Sequence, residues 1–141
     1  MVERFPARLA RAIGYPDAVA ADASRAALLV DGAEVVASEE GGRALLQATV
    51  AAEPSDDVLA SLAGFAAGRI LREEAVLAYE PKADAAILWQ AAPAGADALA
   101  LRAFFRAFTA SWDWWRARVS ELESPKPSFP EVMIRPSNDT C

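Results

Sequence analysis

The chain contains no histidine and a single cysteine, Cys141, which is its last residue. Histidine is the commonest general base and metal ligand in proteins, so its absence removes the usual means of acid–base and metal chemistry. One cysteine cannot form an intrachain disulfide, and a thiol at a chain end is poorly placed for nucleophilic catalysis. These absences argue against an enzyme.

Sequence motifs for phosphate chemistry are missing as well, since neither GxxxxGK[ST] nor GxGxxG occurs. Adjacent carboxylates are present, but they fall in a predicted turn, at a helix start and at a helix exit, where solvated charges explain them. These three pairs are Glu39-Glu40, Asp56-Asp57 and Glu73-Glu74. We therefore predict no enzymatic activity, no catalytic residues, no cofactor and no metal.

Long apolar runs are also absent, because a charged residue interrupts every window that could approach the roughly 18 residues of a membrane-spanning helix. The N-terminal stretch lacks the apolar core of a signal peptide. The net charge of −6 would repel nucleic acid and anionic membrane surfaces. We expect a cytoplasmic protein that binds neither nucleic acid nor membranes.

The apolar periodicity of the first half predicts one helix followed by three strands. Apolar residues from Val2 to Ile13 recur at helical spacing, and Gly14 followed by Tyr15-Pro16 ends that helix. Short turns then separate strands at residues 26–30, 34–38 and 43–52, the first being a tight Asp31-Gly32 turn.

The second half predicts a helix, two strands and a long final helix. Ser55 can cap the second helix, and Asp97 can cap the third, which extends to about Leu122. Strands are predicted at residues 75–80 and 85–92. The order α-β-β-β-α-β-β-α predicts an α+β domain over residues 1–123, with an antiparallel sheet of about five strands and three helices. The proline-rich tail, residues 124–141, is predicted to be disordered.

The final helix carries most of the aromatic residues. One apolar stripe, typical of a core-facing side, contains Leu101, Phe104, Phe105, Phe108, Trp112, Trp115, Val119 and Leu122. Trp114 points more than 100° away from this stripe. It either lies under Arg118 in a cation–π contact or marks a surface that contacts a partner.

The second helix has a side that is almost bare, formed by Ala60, Gly64, Ala67 and Gly68. Glycines four apart on a helix allow another backbone to come close. The neighbour could be another helix of the same chain or a second copy of the protein. We favour the second copy, and the predicted dimer interface comprises Ala60, Gly64, Ala67, Gly68 and Leu71.

This pattern resembles the class I type III secretion chaperones, the CesT/Tir chaperone family. The likeness lies in the order of segments and covers about residues 2 to 122. It is carried by FPARLARAIGYP, ALLVDGAEVVASEEGGRALLQATV, PSDDVLASLAGFA, VLAYEPKADAAILWQ and FFRAFTASWDWWRARV.

The resemblance implies a non-enzymatic homodimer of the bacterial cytoplasm that binds the N-terminal segment of a secreted effector or translocator. It implies that the segment stays extended for secretion and that the dimer packs through the second helix. By position, the partner-binding patches would involve Phe5, Leu9, Ile13, Leu28, Val30 and Val35, to which we add Trp114. Several of the six must belong to the core. The alternative function is a regulatory protein-binding or small-molecule-binding module of the same fold.

Overall fold

A computed structural model of the protein describes residues 3–69 and 72–123. The helices and strands follow one another in the predicted order, α-β-β-β-α-β-β-α. They are α1 (Phe5–Ala12), β1 (Arg25–Val30), β2 (Ala33–Glu40), β3 (Arg43–Ala52), α2 (Asp56–Arg69), β4 (Val76–Glu80), β5 (Ala85–Ala91) and α3 (Ala98–Glu123). The predicted α+β fold is confirmed, and every strand end lies within two residues of the predicted one.

All five strands form one antiparallel sheet with the order β1-β2-β3-β5-β4. The β1–β2 turn is tight because Asp31 and Gly32 both have positive φ, +52° and +82°, the combination that fits the right-handed twist of a hairpin. Since β5 inserts between β3 and β4, the two edge strands are β1 and β4.

The helix ends follow the signals in the sequence. Val58 donates its backbone N–H to Ser55 Oγ (3.2 Å), and Ala100 donates to Asp97 Oδ1 (2.8 Å), so both predicted caps are present. At the end of α1, Tyr15 N donates to Ala10 O (2.8 Å), around Gly14 with its φ of +103°. This is a Schellman ending, which only a residue tolerant of positive φ permits.

The core lies between the sheet and the helices α1 and α3. The aromatic stripe of α3 supplies much of it, and Trp112 donates Nε1–H to Thr49 O of β3 at 2.8 Å. Phe105 and Leu122 of the predicted stripe are only partly covered.

Helix α2 is packed less completely, since Val58 and Leu62 are the only buried residues between Asp56 and Arg69. Phe65 remains partly exposed. Ile70 lies outside the described residues, as do Leu71 and the tail at 124–141.

Candidate functional site

An open apolar groove lies beside β1, between the end of α1 and the middle of α3. We call it the β1 groove. Its volume is about 570 Å³, and its lining comprises Ile13, Tyr15, Ala18, Val19, Ala27, Leu28, Leu29, Val30, Asp31 and Phe105. Among the described residues of this lining, Asp31 is the only carboxylate, so the groove suits apolar side chains.

Three local features position the groove. The Schellman ending of α1 turns the chain at Gly14 and carries Tyr15 away from the helix, leaving Ile13 at the groove wall. Alternation along β1 turns Leu28 and Val30 towards the helices, where both are half-buried. Phe105 of α3 contributes the third wall.

The groove is open on its solvent side. Tyr15 is 65% exposed and Leu29 is 76% exposed. Exposed apolar side chains that cluster in one place are typical of surfaces that bind a partner.

No strand among residues 3–69 and 72–123 pairs with the outer edge of β1. Glu39 N donates to Ser24 O (2.8 Å), and these residues lie opposite each other one step beyond the Arg25–Ser38 pair. Since hydrogen-bonded and non-hydrogen-bonded pairs alternate in an antiparallel ladder, Ala26, Leu28 and Val30 bond to β2. The N–H and C=O groups of Arg25, Ala27 and Leu29 therefore point away from the sheet, where they are available to pair with another strand.

Arg4, Arg8 and Arg11 do not line the groove, and each one binds another part of this chain. Arg4 Nη2 donates to Glu39 O (3.2 Å), Arg8 Nη2 donates to Ala96 O (2.7 Å), and Arg11 pairs with Glu3. The arginine side of α1 therefore helps to hold the helix in place.

The six apolar residues predicted to bind a partner divide into two groups. Ile13, Leu28 and Val30 line the β1 groove. Phe5, Leu9 and Val35 belong to the core, each at most 1% exposed, and Phe5 packs against the ring of Phe104 with centroids 6.4 Å apart. A partner therefore has direct access to only the first group.

The sequence did not predict the other seven residues of this lining as partner contacts. The three largest of them are Tyr15, which the sequence places in a helix stop, Leu29, which it places in a strand, and Phe105, which it places in the core. A signal was present for Leu29, since alternation along β1 leaves an apolar residue among exposed positions.

Trp114 joins α2 to α3. Its ring lies between two guanidinium groups, with the Cζ of Arg69 3.8 Å and the Cζ of Arg118 5.0 Å from the ring centroid. Phe65 packs edge-on at 6.0 Å. The predicted contact with Arg118 is present, and the ring is half-buried, so its role as a partner contact remains a prediction.

The small-residue side of α2 faces solvent, with Ala60, Gly64, Ala67 and Gly68 all exposed. A Cβ added at Gly64 or Gly68 would meet nothing within 4 Å in the described part of the chain. No helix described here therefore packs on these glycines.

The neighbouring edge strand β4 adds apolar surface beside this side of α2. Val76 is 61% exposed, and a cavity of about 440 Å³ joins it to Ala63, Ala66 and Ala67. At the far end of β4, the Tyr79 hydroxyl donates to Asp84 Oδ1 (2.7 Å), and this hydrogen bond raises the Tyr79 pKa above its usual value.

Residues 3–69 and 72–123 contain no group of three or more histidine, cysteine, aspartate or glutamate side chains arranged to hold a metal ion. None of the described helices is both long and apolar enough to cross a membrane.

Comparison with known proteins gives matches at the level of structure. No family model matches the sequence, and neither does any curated protein. A chain in the structure of the HopA1-SchA chaperone-effector complex matches with a TM-score of 0.62 and 18% identity, over 77% of this chain and 88% of that one. A chain of the ExsC-ExsE complex matches with a TM-score of 0.64 and 18% identity, over 81% and 92%. The protein has the fold of the class I type III secretion chaperones, as the resemblance of its sequence implied.

Proposed function

We propose that the protein is a non-enzymatic chaperone of the bacterial cytoplasm that binds the N-terminal segment of a type III secreted effector or translocator. The observation that carries this proposal is the β1 groove, an apolar surface directly beside a free strand edge. The chaperone-effector complex among the structural neighbours supports it.

The groove and the edge together suit an extended polypeptide. A client strand that pairs with the outward backbone groups of Arg25, Ala27 and Leu29 would gain main-chain hydrogen bonds. Every second client side chain would then face Leu28 and Val30 in the groove. Apolar residues at alternate positions are therefore the expected recognition pattern, and binding holds the segment extended.

The alternative, a regulatory or small-molecule-binding module, fits this surface less well. A small-molecule site usually encloses most of its ligand. Here Leu29 and Tyr15 are largely exposed, and one wall of the groove is an unpaired strand edge. A regulatory protein that bound as an extended segment would use the same surface.

We also propose that the chaperone acts as a homodimer through the exposed side of α2. The support is the open space at Gly64 and Gly68 together with the exposed apolar surface of β4 beside it. A specific dimer buries on the order of 1,200 Å² or more. Leu71, also predicted to lie in this interface, falls outside the described residues.

The proposed client is tested by co-expressing the chain with secreted proteins encoded nearby and mapping the segments that are protected from protease. Protection of an N-terminal segment is expected, and Ile13→Asp or Val30→Asp should weaken it while the fold persists. Leu99→Asp is the matched control, because Leu99 is 68% exposed and lies outside the β1 groove. Absence of any protected segment, or binding that survives both groove substitutions, would refute the proposal.

A further inference from the structure

The C-terminal tail carries a short apolar segment at a spacing that matches the β1 groove. In residues 124–141, the large apolar residues are confined to Phe129, Val132, Met133 and Ile134. Val132, Met133 and Ile134 lie between Pro130 and Pro136. Because proline has no backbone N–H, residues 131–135 are the stretch around these three that retains every backbone N–H.

The free edge of β1 presents a complementary length of backbone. Its outward groups belong to Arg25, Ala27 and Leu29, which span five residues. Residues 131–135, Glu-Val-Met-Ile-Arg, also number five and include two β-branched residues. Val132 and Ile134 would lie on the same side of such a strand. The tail therefore contains one segment able to pair with this edge and place two apolar side chains in the groove.

The distances agree with this pairing. Phe105 lies in the groove wall and α3 ends at Glu123, so the groove lies about 27 Å back along the helix axis at a rise of about 1.5 Å per residue. The linking residues include Pro125, Pro127 and Pro130, and a proline-rich linker extends about 3.1 Å per residue. Val132 would then lie about 28 Å from Glu123.

A linker of this kind favours the β1 groove over the nearer cavity beside α2. That cavity includes Trp115, which lies only about 12 Å from the end of α3. Effective concentration is highest where the length of a linker matches the distance it must span. A stiff linker that reaches about 28 Å matches the more distant groove.

We propose that residues 131–135 occupy the β1 groove in the client-free protein as an added edge strand, which a client displaces. This inference shares its site with the proposed function but does not depend on the identity of the client. It gives the tail a role that requires no contribution to the core. The apparent dissociation constant for a client then equals the intrinsic one divided by the fraction of chains whose groove is empty.

Amide hydrogen exchange, followed residue by residue by NMR on the full chain, tests the proposal without any client. The outward amides of Arg25, Ala27 and Leu29 are expected to exchange slowly in the native chain. In the double variant Val132→Asp/Ile134→Asp they should exchange at least about tenfold faster if the tail occupies the groove for about nine-tenths of the time. The inward amides of Ala26 and Leu28 serve as an internal reference.

The matched control is Ser137→Asp/Thr140→Asp, which adds the same charge beyond Pro136 and should leave the outward amides protected. Two results would overturn the proposal. One is fast exchange of the outward amides in the native chain, which shows an empty edge. The other is protection that persists in Val132→Asp/Ile134→Asp, which shows a different occupant, such as a second copy. Neither result bears on whether a secreted client binds, because no client is present.

Discussion

Larger residues on the small-residue side of α2 should leave the single chain folded or stabilise it, but should weaken the dimer. A Cβ at Gly64 meets nothing within 4 Å, so Gly64→Ala should stabilise the single chain by about 0.5–1 kcal/mol through helix propensity. Gly64→Leu should also leave the single chain folded. In a dimer that brings a second backbone over this position, the same leucine would overpack the interface at a cost of about 1–3 kcal/mol.

A two-fold symmetric interface repeats every substitution, so the cost of Gly64→Leu to the dimer is at least about 2 kcal/mol. The dimer dissociation constant should therefore rise at least about 30-fold. Sedimentation equilibrium over a range of concentrations measures it against the 15.0 kDa mass of one chain. Urea unfolding at concentrations where the chain is monomeric measures the effect of each substitution on the stability of the single chain.

Ala103→Leu is the matched control for bulk, because Ala103 is an exposed small residue of α3 and does not belong to the small-residue side of α2. It should leave the dissociation constant unchanged. The reasoning is refuted if Gly64→Leu leaves a dimer intact with the native affinity. A native chain that sediments as a monomer at every micromolar concentration would also refute it.

Five other outcomes are expected. Ala27→Pro removes an outward N–H of β1 and is tested in a chain that also carries Val132→Asp/Ile134→Asp. It should weaken binding of a protease-protected client peptide about two- to tenfold while the melting curve stays native. Unchanged affinity would rule out strand pairing. Leu28→Pro removes a hydrogen bond to β2 and should lower the free energy of unfolding by about 1–3 kcal/mol. Phe5→Asp places a carboxylate in the core, and the cost of several kcal/mol is comparable to the free energy of unfolding of the whole domain. The variant should therefore be unfolded, as measured by circular dichroism, and a native spectrum would contradict this. Glu73 accepts hydrogen bonds from Arg69, Ser111 and Trp115, so Glu73→Ala should lower the free energy of unfolding, measured in urea, by about 1–3 kcal/mol. Deletion of residues 124–141 should change the melting temperature by only a few degrees.

Local signals in the sequence determined the elements of this fold. Asp31-Gly32 predicted its turn because few residue pairs tolerate two successive positive φ angles. Ser55 and Asp97 predicted the starts of α2 and α3 because their side chains accept backbone N–H groups that the helix leaves free. The helical spacing of Ala60, Gly64, Ala67 and Gly68 likewise predicted the small-residue side of α2.

Strand order and burial were decided only by the tertiary structure. The sequence predicted about five antiparallel strands but not which two lie at the edges of the sheet, because insertion of β5 between β3 and β4 is a long-range pairing. Helical spacing placed Phe5, Leu9 and Ile13 on one side of α1, yet the first two are buried and the third lies at the groove. That division depends on how far α3 and β2 extend over α1, which no periodicity within α1 encodes. The β1 groove exists because the end of one helix, the middle of another and an edge strand meet in space, and a local pattern contains no information about such a meeting.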